Sequence, residues 1–245
     1  IKRKRLSKEM AMRKFQLVSG TEDYRGFSLK DIVIEAALEN IEIKQKIYQE
    51  LEEVVSPEAI IATNTSTLTI KSLSEKMRFP ERLIGMHFFN PPEKMPLVEI
   101  IQGEKTAQQV VETAVLLCKK LGKTALVVRD CPGFLVNRIF AACANQAGTM
   151  LEEGIPMNEI ESEILKFGMP MGPFTLADEV GNDVAYKAFE VIEKGYGNRM
   201  KQPHIAKWMD VNKLYGKKSG EGYFVYDNGN KMGMNPKVIA FLGNK

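Results

Sequence analysis

The sequence of 245 residues is poor in the residues that build metal sites and disulfide frameworks. It contains two histidines, His87 and His204, and three cysteines, Cys118, Cys131 and Cys143, without a C-x-x-C pair. Because these residues are isolated and lack the spacing of metal ligands, we expect no metal site. An odd number of scattered cysteines favours reduced thiols, and therefore an intracellular protein rather than a secreted one.

Long apolar runs are also missing. No segment approaches the length of a membrane-spanning helix, and the basic start is not followed by the apolar stretch of a signal peptide. The apolar fraction of 44% is ordinary for a soluble globular protein. We therefore expect no membrane span and a location in the cytoplasm of a bacterium or archaeon, with a mitochondrion or peroxisome as the alternative.

Charge is small overall but unevenly distributed. The net charge is +3, while residues 1–15 alone carry seven basic side chains against Glu9, a local charge of +6. The remainder of the chain therefore carries −3. We expect no nucleic-acid binding, because neither an aromatic stacking pattern nor a recognised motif accompanies this basic segment.

The hydrophobic periodicity changes along the chain. In the first half, apolar strands alternate with helices, and the strands are predicted at residues 31–36, 59–62, 83–89, 96–101 and 125–129. This alternation is typical of an α/β layer with a mainly parallel sheet. From residue 134 onward the patterns are long and helical, at residues 134–153, 157–167 and 174–194. We therefore predict an α/β domain over residues 1–130 and a helical domain over residues 131–245.

One histidine is a candidate proton-transfer group. His87 has Ser66 21 residues before it and Glu99 12 residues after it. Imidazole titrates near neutrality, and a carboxylate on its second nitrogen would fix the tautomer needed to remove a proton from an alcohol. An acyl-transfer triad is disfavoured because no G-x-S-x-G surrounds Ser66, whereas a purely structural histidine stays open. Placement at strand ends, where open α/β sheets bind ligands, favours catalysis.

Six parts of the sequence form a joint pattern. They are T-N-T-S at residues 63–66, H-F-F-N-P at 87–91, Glu99, D-C-P-G-F-L-V-N-R at 130–138, P-M-G-P-F at 170–174 and G-K-K-S-G-E-G-Y at 216–223. This pattern resembles the L-3-hydroxyacyl-CoA dehydrogenase family over nearly the whole chain. It is most similar to the dehydrogenase part of multifunctional fatty-acid oxidation enzymes, in which an enoyl-CoA hydratase part comes first.

The resemblance implies an activity and a role for individual residues. It implies NAD-dependent oxidation of an L-3-hydroxyacyl-CoA to the 3-ketoacyl-CoA in fatty-acid β-oxidation. His87 matches the family's catalytic base and Glu99 its carboxylate partner. Ser66 and Asn137 match the groups that hold the hydroxyl or keto oxygen. Four further positions match residues that contact the NAD cofactor: Glu39, Lys44, Asn90 and Lys218.

The resemblance also bears on partners. It implies an acyl-CoA substrate and either a homodimer through the helical domain or a place within a larger multifunctional chain. The basic segment 1–15 matches the region near which the family's acyl-CoA lies, so it either attracts coenzyme A phosphates or is a solvated amphipathic helix. Two other functions stay open: an inactive structural or dimerisation domain, and an acyl-CoA-binding module without chemistry.

One part of the family pattern is missing. A dinucleotide fold holds the pyrophosphate with a strand, a G-x-G-x-x-G loop and a helix N-terminus. The run Gly220-Glu221-Gly222 is followed by Tyr-Phe-Val and does not open a convincing helix. We therefore predict an incomplete Rossmann-type domain without its first β-α-β unit, followed by an all-helical C-terminal domain. Because the chain starts at Ile1 inside a helical pattern with no capping residue before it, we expect an N-terminal truncation.

Overall fold

The computed structural model describes residues 7–243. Within the described part of the basic segment, helix α1 spans Lys8–Phe15, and none of its residues is buried. The expectation that this helix has no capping residue is wrong, because Ser7 Oγ accepts a hydrogen bond from the backbone N–H of Met10 at 3.1 Å. Residues 1–6, which include four of the basic side chains, lie outside the described part.

The first half of the chain forms one five-stranded sheet. Its strands are β1 (Ile32–Glu35), β2 (Ile60–Thr63), β3 (Leu83–Phe88), β4 (Leu97–Gln102) and β5 (Thr124–Arg129). They lie side by side in chain order, with β1, β2 and β3 parallel, β4 antiparallel to β3, and β5 parallel to β4. The predicted Rossmann-type α/β layer is confirmed, and each strand lies within two residues of its predicted bounds.

Three helices cover the two faces of this sheet: α2 (Ile41–Val54), α3 (Ile70–Ser74) and α4 (Gln108–Lys120). On one face, Leu51 of α2 and Leu73 of α3 pack against Ile61. On the other face, Val111 of α4 packs in a cluster with Ile60. Adjacent residues of β2 therefore enter opposite cores, which explains why a parallel strand covered on both faces is continuously apolar.

The second half is mainly helical. Its helices are α5 (Val136–Glu152), α6 (Met157–Phe167), α7 (Pro173–Val180), α8 (Asn182–Tyr196), α9 (His204–Val211) and α10 (Pro236–Gly243). The helical C-terminal domain is confirmed, but it also contains an antiparallel pair of strands, β6 (Phe224–Asp227) and β7 (Asn230–Met234). The continuous helix predicted over residues 174–194 is wrong, because Gly181 takes a φ of 106° and separates α7 from α8.

Asp178 explains part of the glycine-rich motif at residues 216–223. Its buried carboxylate accepts the backbone N–H groups of Tyr223 and Phe224, each at 2.9 Å, and the side-chain amide of Asn182. Burial raises the pKa of Asp178. A Cβ built at Gly222 would lie 2.0 Å from Asp178 Oδ1, so the motif needs glycine at that position for close packing.

Contacts made by Asp130 and Phe134 join the sheet layer to the segment that leads into the helical part. Phe134 is fully buried and belongs to the same cluster as Tyr48 and Leu73. The Asp130 carboxylate accepts the backbone N–H groups of Ile70 and Lys71 at 2.9 and 2.8 Å, which are the first donors of α3. The start of α5 is therefore held against the sheet by packing and by hydrogen bonds.

Candidate active site

His87 and Glu99 lie directly opposite each other on the antiparallel strands β3 and β4. Residues opposite each other in such a pair point to the same face, so their side chains can meet. Here His87 Nδ1 lies 2.9 Å from Glu99 Oε2. Both side chains are buried, with relative exposures of 5% for His87 and 0% for Glu99. The sheet register thus forms the histidine–carboxylate pair expected from the sequence.

The second oxygen of Glu99 caps a helix. Glu99 Oε1 accepts the backbone N–H groups of Leu135 and Val136, both at 3.0 Å, at the N-terminus of α5. Leu135, the N-cap residue, has no side chain that could satisfy these donors. A carboxylate is favourable at this position because the helix N-terminus carries partial positive charge. Glu99 is therefore fixed between His87 and the first turn of α5.

The other ring nitrogen of His87 is left available. Across residues 7–243, His87 Nε2 makes no hydrogen bond, while the ring lies against Phe89 and Phe134 with centroid distances of 4.5 and 6.0 Å. A carboxylate at Nδ1 favours the tautomer whose proton is on Nδ1. That tautomer leaves a lone pair on Nε2, so the arrangement suits a base that takes a proton from a bound hydroxyl.

Ser66 and Asn137 are brought into contact although they are 71 residues apart. Asn137 Nδ2 donates to the backbone carbonyl of Ser66 at 3.0 Å. Asn64 Oδ1 accepts the backbone N–H of Phe88 at 2.9 Å, which ties the turn containing Ser66 to the end of β3 beside His87. No group between residues 7 and 243 forms a hydrogen bond with the Ser66 hydroxyl, so this hydroxyl can bind a substrate or cofactor oxygen.

Glu39, Ser66 and Asn90 follow the ends of β1, β2 and β3 by four, three and two residues. The carboxyl ends of these parallel strands meet at one edge, where α/β sheets bind ligands. Glu39 Oε1 accepts the Thr65 hydroxyl at 2.6 Å and the Ser66 backbone N–H at 2.9 Å. Asn90 is exposed at the same edge. The structure therefore places three of the predicted site residues at one edge.

In the sequence, Lys44 and Glu39 have the spacing of an ordinary exposed pair on a helix surface. The structure shows instead that Lys44 is buried. Its side chain is only 1% exposed, and its Nζ lies 2.7 Å from Glu35 Oε1 and 3.6 Å from Glu39 Oε2. Glu35, the last residue of β1, was missed by the sequence analysis. The available signal was Tyr48, one helical turn after Lys44 on the buried face of α2.

Burial and hydrogen bonding act on Glu35 in opposite directions. Burial raises its pKa, but the hydrogen bonds from Lys44 Nζ and Tyr48 OH outweigh that effect, so the pKa of Glu35 is lowered. The group is therefore an anion at neutral pH. A buried carboxylate with a paired ammonium is a structural charge pair at the edge where Glu39 lies.

Lys218 lies in the helical part. Its exposed ammonium is 2.5 Å from Asp183 Oδ1 in the first turn of α8 and lies 5.6 Å from the centre of the Tyr215 ring. Within the described structure, it shares no hydrogen bond or ion pair with Glu39, Ser66 or His87. The structure therefore brings together the residues at the sheet edge but does not connect Lys218 to them by direct contact.

Two other expectations concern metals and membranes. Among residues 7–243, no group of three or more His, Cys, Asp or Glu side chains is arranged to hold a metal ion. None of the helices in that range combines the length and apolar character needed to cross a bilayer.

A mainly parallel sheet, a carboxylate at its ligand-binding edge, a histidine–glutamate pair and a following helical domain are the features of a dinucleotide-dependent dehydrogenase. Residues 1–131 match the family model described as "3-hydroxyacyl-CoA dehydrogenase, NAD binding domain". Residues 133–226 match the model described as "3-hydroxyacyl-CoA dehydrogenase, C-terminal domain". The chain therefore belongs to the 3-hydroxyacyl-CoA dehydrogenase family of NAD-dependent oxidoreductases, as the resemblance implied.

Solved structures agree with this assignment. An (S)-3-hydroxybutyryl-CoA dehydrogenase from Ralstonia eutropha has 35% identity and a TM-score of 0.89, over 93% of this chain and 82% of that one. A 3-hydroxybutyryl-CoA dehydrogenase from Escherichia coli K12 has 32% identity and a TM-score of 0.87, over 91% and 48%. The dehydrogenase part of multifunctional enzyme 1 from C. elegans has 31% identity and a TM-score of 0.62, over 98% and 55%.

Proposed function

We propose that the protein oxidises an L-3-hydroxyacyl-CoA to the 3-ketoacyl-CoA in fatty-acid β-oxidation, with His87 as the general base. One observation carries this proposal: Glu99 holds His87 Nδ1 at 2.9 Å, while Nε2 has no partner in the described structure. Two of the similar structures are named as 3-hydroxybutyryl-CoA dehydrogenases, which supports a short hydroxyacyl thioester as a substrate.

Each of the four residues at the reaction centre has a role in the proposed step. His87 Nε2 takes the proton of the 3-hydroxyl while the hydrogen on C3 leaves as hydride and the carbon–oxygen bond becomes a carbonyl. Bound NAD supplies the hydride acceptor. The Glu99 carboxylate stabilises the imidazolium that forms, and Ser66 and Asn137 hold the reacting oxygen. In the reverse direction, protonated His87 acts as the acid.

The donor set at the sheet edge fits the cofactor. Glu39 Oε1 accepts hydrogen bonds from the Thr65–Thr67 turn. Among residues 7–243, Oε2 has only Lys44 Nζ nearby, at 3.6 Å, and the side chain is 39% exposed. A carboxylate with one open oxygen after a parallel strand suits a ribose hydroxyl. We assign Glu39, Lys44, Asn90 and Lys218 to the cofactor side of the site, with Lys44 buried beside Glu39.

The organisation around this site is also part of the proposal. We assign residues 1–130 to the NAD-binding domain and residues 131–245 to the helical domain, which would form a homodimer or belong to a larger chain. The name of the C. elegans relative, the dehydrogenase part of a multifunctional enzyme, supports the second arrangement. Exposed apolar side chains on the helical part, including Ile139 and Phe167, support the first. The proposed location is the cytoplasm.

The test measures NADH oxidation with acetoacetyl-CoA by the whole protein. Replacing His87 by Gln should lower kcat by roughly 10²–10⁴-fold, the range for a lost acid–base group. His204→Gln is the matched control, because His204 is the other histidine and is exposed at the start of α9.

Two outcomes would contradict the proposal. Equal rates for His87→Gln and the unmodified protein would remove His87 from the chemistry. Binding of the thioester without any turnover by the unmodified protein would instead indicate an acyl-CoA-binding module.

A further inference from the structure

Four buried polar residues form a connected group on the interior side of Glu39. Three of them, Glu35, Tyr48 and Thr63, have no role in the proposed reaction. Glu35, Lys44, Tyr48 and Thr63 each have a relative exposure of 6% or less. They come from β1, α2 and β2, and Glu35 pairs with Thr63 across the two parallel strands. Burial of so many polar groups is costly unless they satisfy one another.

Every acceptor position of Glu35 is occupied. Oε2 accepts Tyr48 OH at 2.7 Å and Thr63 Oγ1 at 2.9 Å. Oε1 accepts Lys44 Nζ at 2.7 Å and the backbone N–H of Ala37 at 2.5 Å. A carboxylate with four donors has no position left for a ligand, so Glu35 cannot contact the cofactor itself.

Lys44 links this group to the exposed edge. Its Nζ donates to Glu35 Oε1 and to the backbone carbonyl of Ala37, and it lies 3.6 Å from Glu39 Oε2. The side chain is 1% exposed, and the ammonium is surrounded by these acceptors of the protein. Glu39 is the exposed member of the chain of contacts, and its other oxygen accepts the backbone N–H groups of Ser66 and Thr67.

We propose that Glu35 and Lys44 are positioning residues, which act through Glu39 to fix the turn that carries Ser66. The pair holds segment 37–39 through Ala37 and Glu39, and it orients the Glu39 carboxylate with Oε1 on the turn and Oε2 toward Lys44. This inference rests on the proposed function, because Glu39 and Ser66 are the groups assigned to the cofactor and the substrate oxygen.

The stability of the fold does not by itself require that Glu35 and Lys44 be charged. A buried ion pair can often be replaced by apolar residues without loss of stability. An apolar pair would, however, leave Glu39 Oε2 without the ammonium that orients it. The positioning role therefore accounts for the charge as well as for the burial.

The first experiment needs no cofactor. Amide hydrogen exchange in the free protein should show the Ser66 and Thr67 N–H groups exchanging about tenfold faster in Glu35→Gln, the effect of one weakened charge-assisted hydrogen bond. The N–H of Ile43, which donates to Asn40 Oδ1 at the start of α2, is the internal reference. Glu42→Gln is the control variant, because Glu42 is an exposed glutamate on α2.

Selective acceleration at Ser66 and Thr67 supports positioning. Equal acceleration of all three amides, or none, would show that the pair only stabilises the fold and would overturn the inference. If Glu35→Gln does not fold, Tyr48→Phe removes a single donor to Glu35 and takes its place in the same comparison. Amide exchange is measured without substrate or turnover. A failure of the positioning role can therefore be distinguished from a failure of the proposed dehydrogenase activity.

The second experiment uses turnover by the whole protein. Glu35→Gln should raise KM for NADH about tenfold and change KM for acetoacetyl-CoA less than about threefold. Because Glu35 acts through Glu39, the double variant Glu35→Gln/Glu39→Gln should have a KM for NADH no higher than that of Glu39→Gln alone. If the two substitutions raise KM for NADH independently, so that their effects multiply in the double variant, the inference is overturned. A rise in KM for acetoacetyl-CoA alone would also overturn it.

Discussion

Two buried carboxylates on different strands of the same sheet, Glu35 on β1 and Glu99 on β4, have opposite consequences. Glu99 and Glu35 both accept backbone N–H groups and both pair with a basic side chain, at 2.9 Å from His87 and 2.7 Å from Lys44. At Glu99 the partner is His87, whose Nε2 makes no hydrogen bond with the part of the chain that the structure describes. At Glu35 the partner is a lysine whose single nitrogen is already held by Glu35, Ala37 and Glu39.

The difference follows from the chemistry of the two bases. Imidazole has two nitrogens on opposite sides of a ring, so one can bind a carboxylate while the other exchanges a proton. An ammonium group presents all its donors from one atom and has no acceptor. The same buried carboxylate therefore creates a reactive group with histidine and a fixed anchor with lysine.

The largest expected effect is at Glu99. Glu99→Ala would leave His87 and the N–H groups of Leu135 and Val136 without their partner, and breaking a buried pair of this kind costs about 3–5 kcal/mol. We also expect a loss of kcat of roughly 10²-fold or more, since the base loses its preferred tautomer. Urea unfolding and turnover with acetoacetyl-CoA measure the two effects.

Glu99→Gln separates the two roles of this residue. Its amide oxygen can still accept the two N–H groups of α5, but its amide nitrogen is a donor and cannot accept from His87 Nδ1. We therefore expect it to lose most of the activity and less of the stability than Glu99→Ala. Equal stability loss in both variants would contradict the helix-capping role of Glu99.

The next effect is at Lys44. Lys44→Met leaves Glu35 as a buried charge without its ion-pair partner, and we expect the free energy of unfolding to fall by about 3 kcal/mol. Lys46→Met is the control on the same helix, because Lys46 is 79% exposed and its ion pair with Glu50 contributes less than about 1 kcal/mol. Urea unfolding of both variants checks the difference, and similar losses would contradict the anchor role.

A smaller and different effect is expected at Ser66. Its hydroxyl makes no hydrogen bond with residues 7–243, so Ser66→Ala should leave the free energy of unfolding within about 0.5 kcal/mol. If the hydroxyl binds the reacting oxygen or the cofactor, kcat/KM should still fall about tenfold. Steady-state kinetics measure this change. A variant that loses stability but keeps kcat/KM would assign Ser66 to the fold.

The smallest effect is a pH dependence at Glu35. The pKa of Glu35 is lower in the folded protein than its unfolded value near 4.5, so the unfolded chain binds the proton more tightly. Glu35 therefore stabilises the fold above pH 4.5, and this stabilisation is lost as the pH falls through the folded pKa. The difference in stability between the unmodified protein and Glu35→Gln should therefore shrink below about pH 4.5. Urea midpoints at pH 7 and pH 4 test this sign, and a difference that grows on acidification would contradict it.

Local sequence patterns predicted most of the elements but not all of their ends. The central strands β2, β3 and β4 were predictable because strands buried on both faces are continuously apolar. The break at Gly181 was not, because the apolar periodicity continues through it and only a φ of 106° reveals the turn. The cap of α1 was also missed, although Ser7 is a common N-cap residue, because the helical pattern runs past it.

The residues proposed for the site were identified from sequence motifs, but their connections were not. Motifs alone named His87, Glu99, Ser66 and Asn137, and the structure brings them together in two pairs. The missed residue is Glu35, whose partners lie 9, 13 and 28 residues away. Hydrogen bonds over such distances leave no periodic trace in a single sequence.

The sequence by itself therefore determined the class of fold, the order of its elements and the family. Only the tertiary structure decided that Glu99 caps α5, that Lys44 is buried and that the Ser66 turn is held by Glu39. The physical reason is that apolar burial follows local periodicity, which the sequence displays. Satisfaction of buried polar groups depends instead on donors supplied by distant elements, which meet only when the chain has folded.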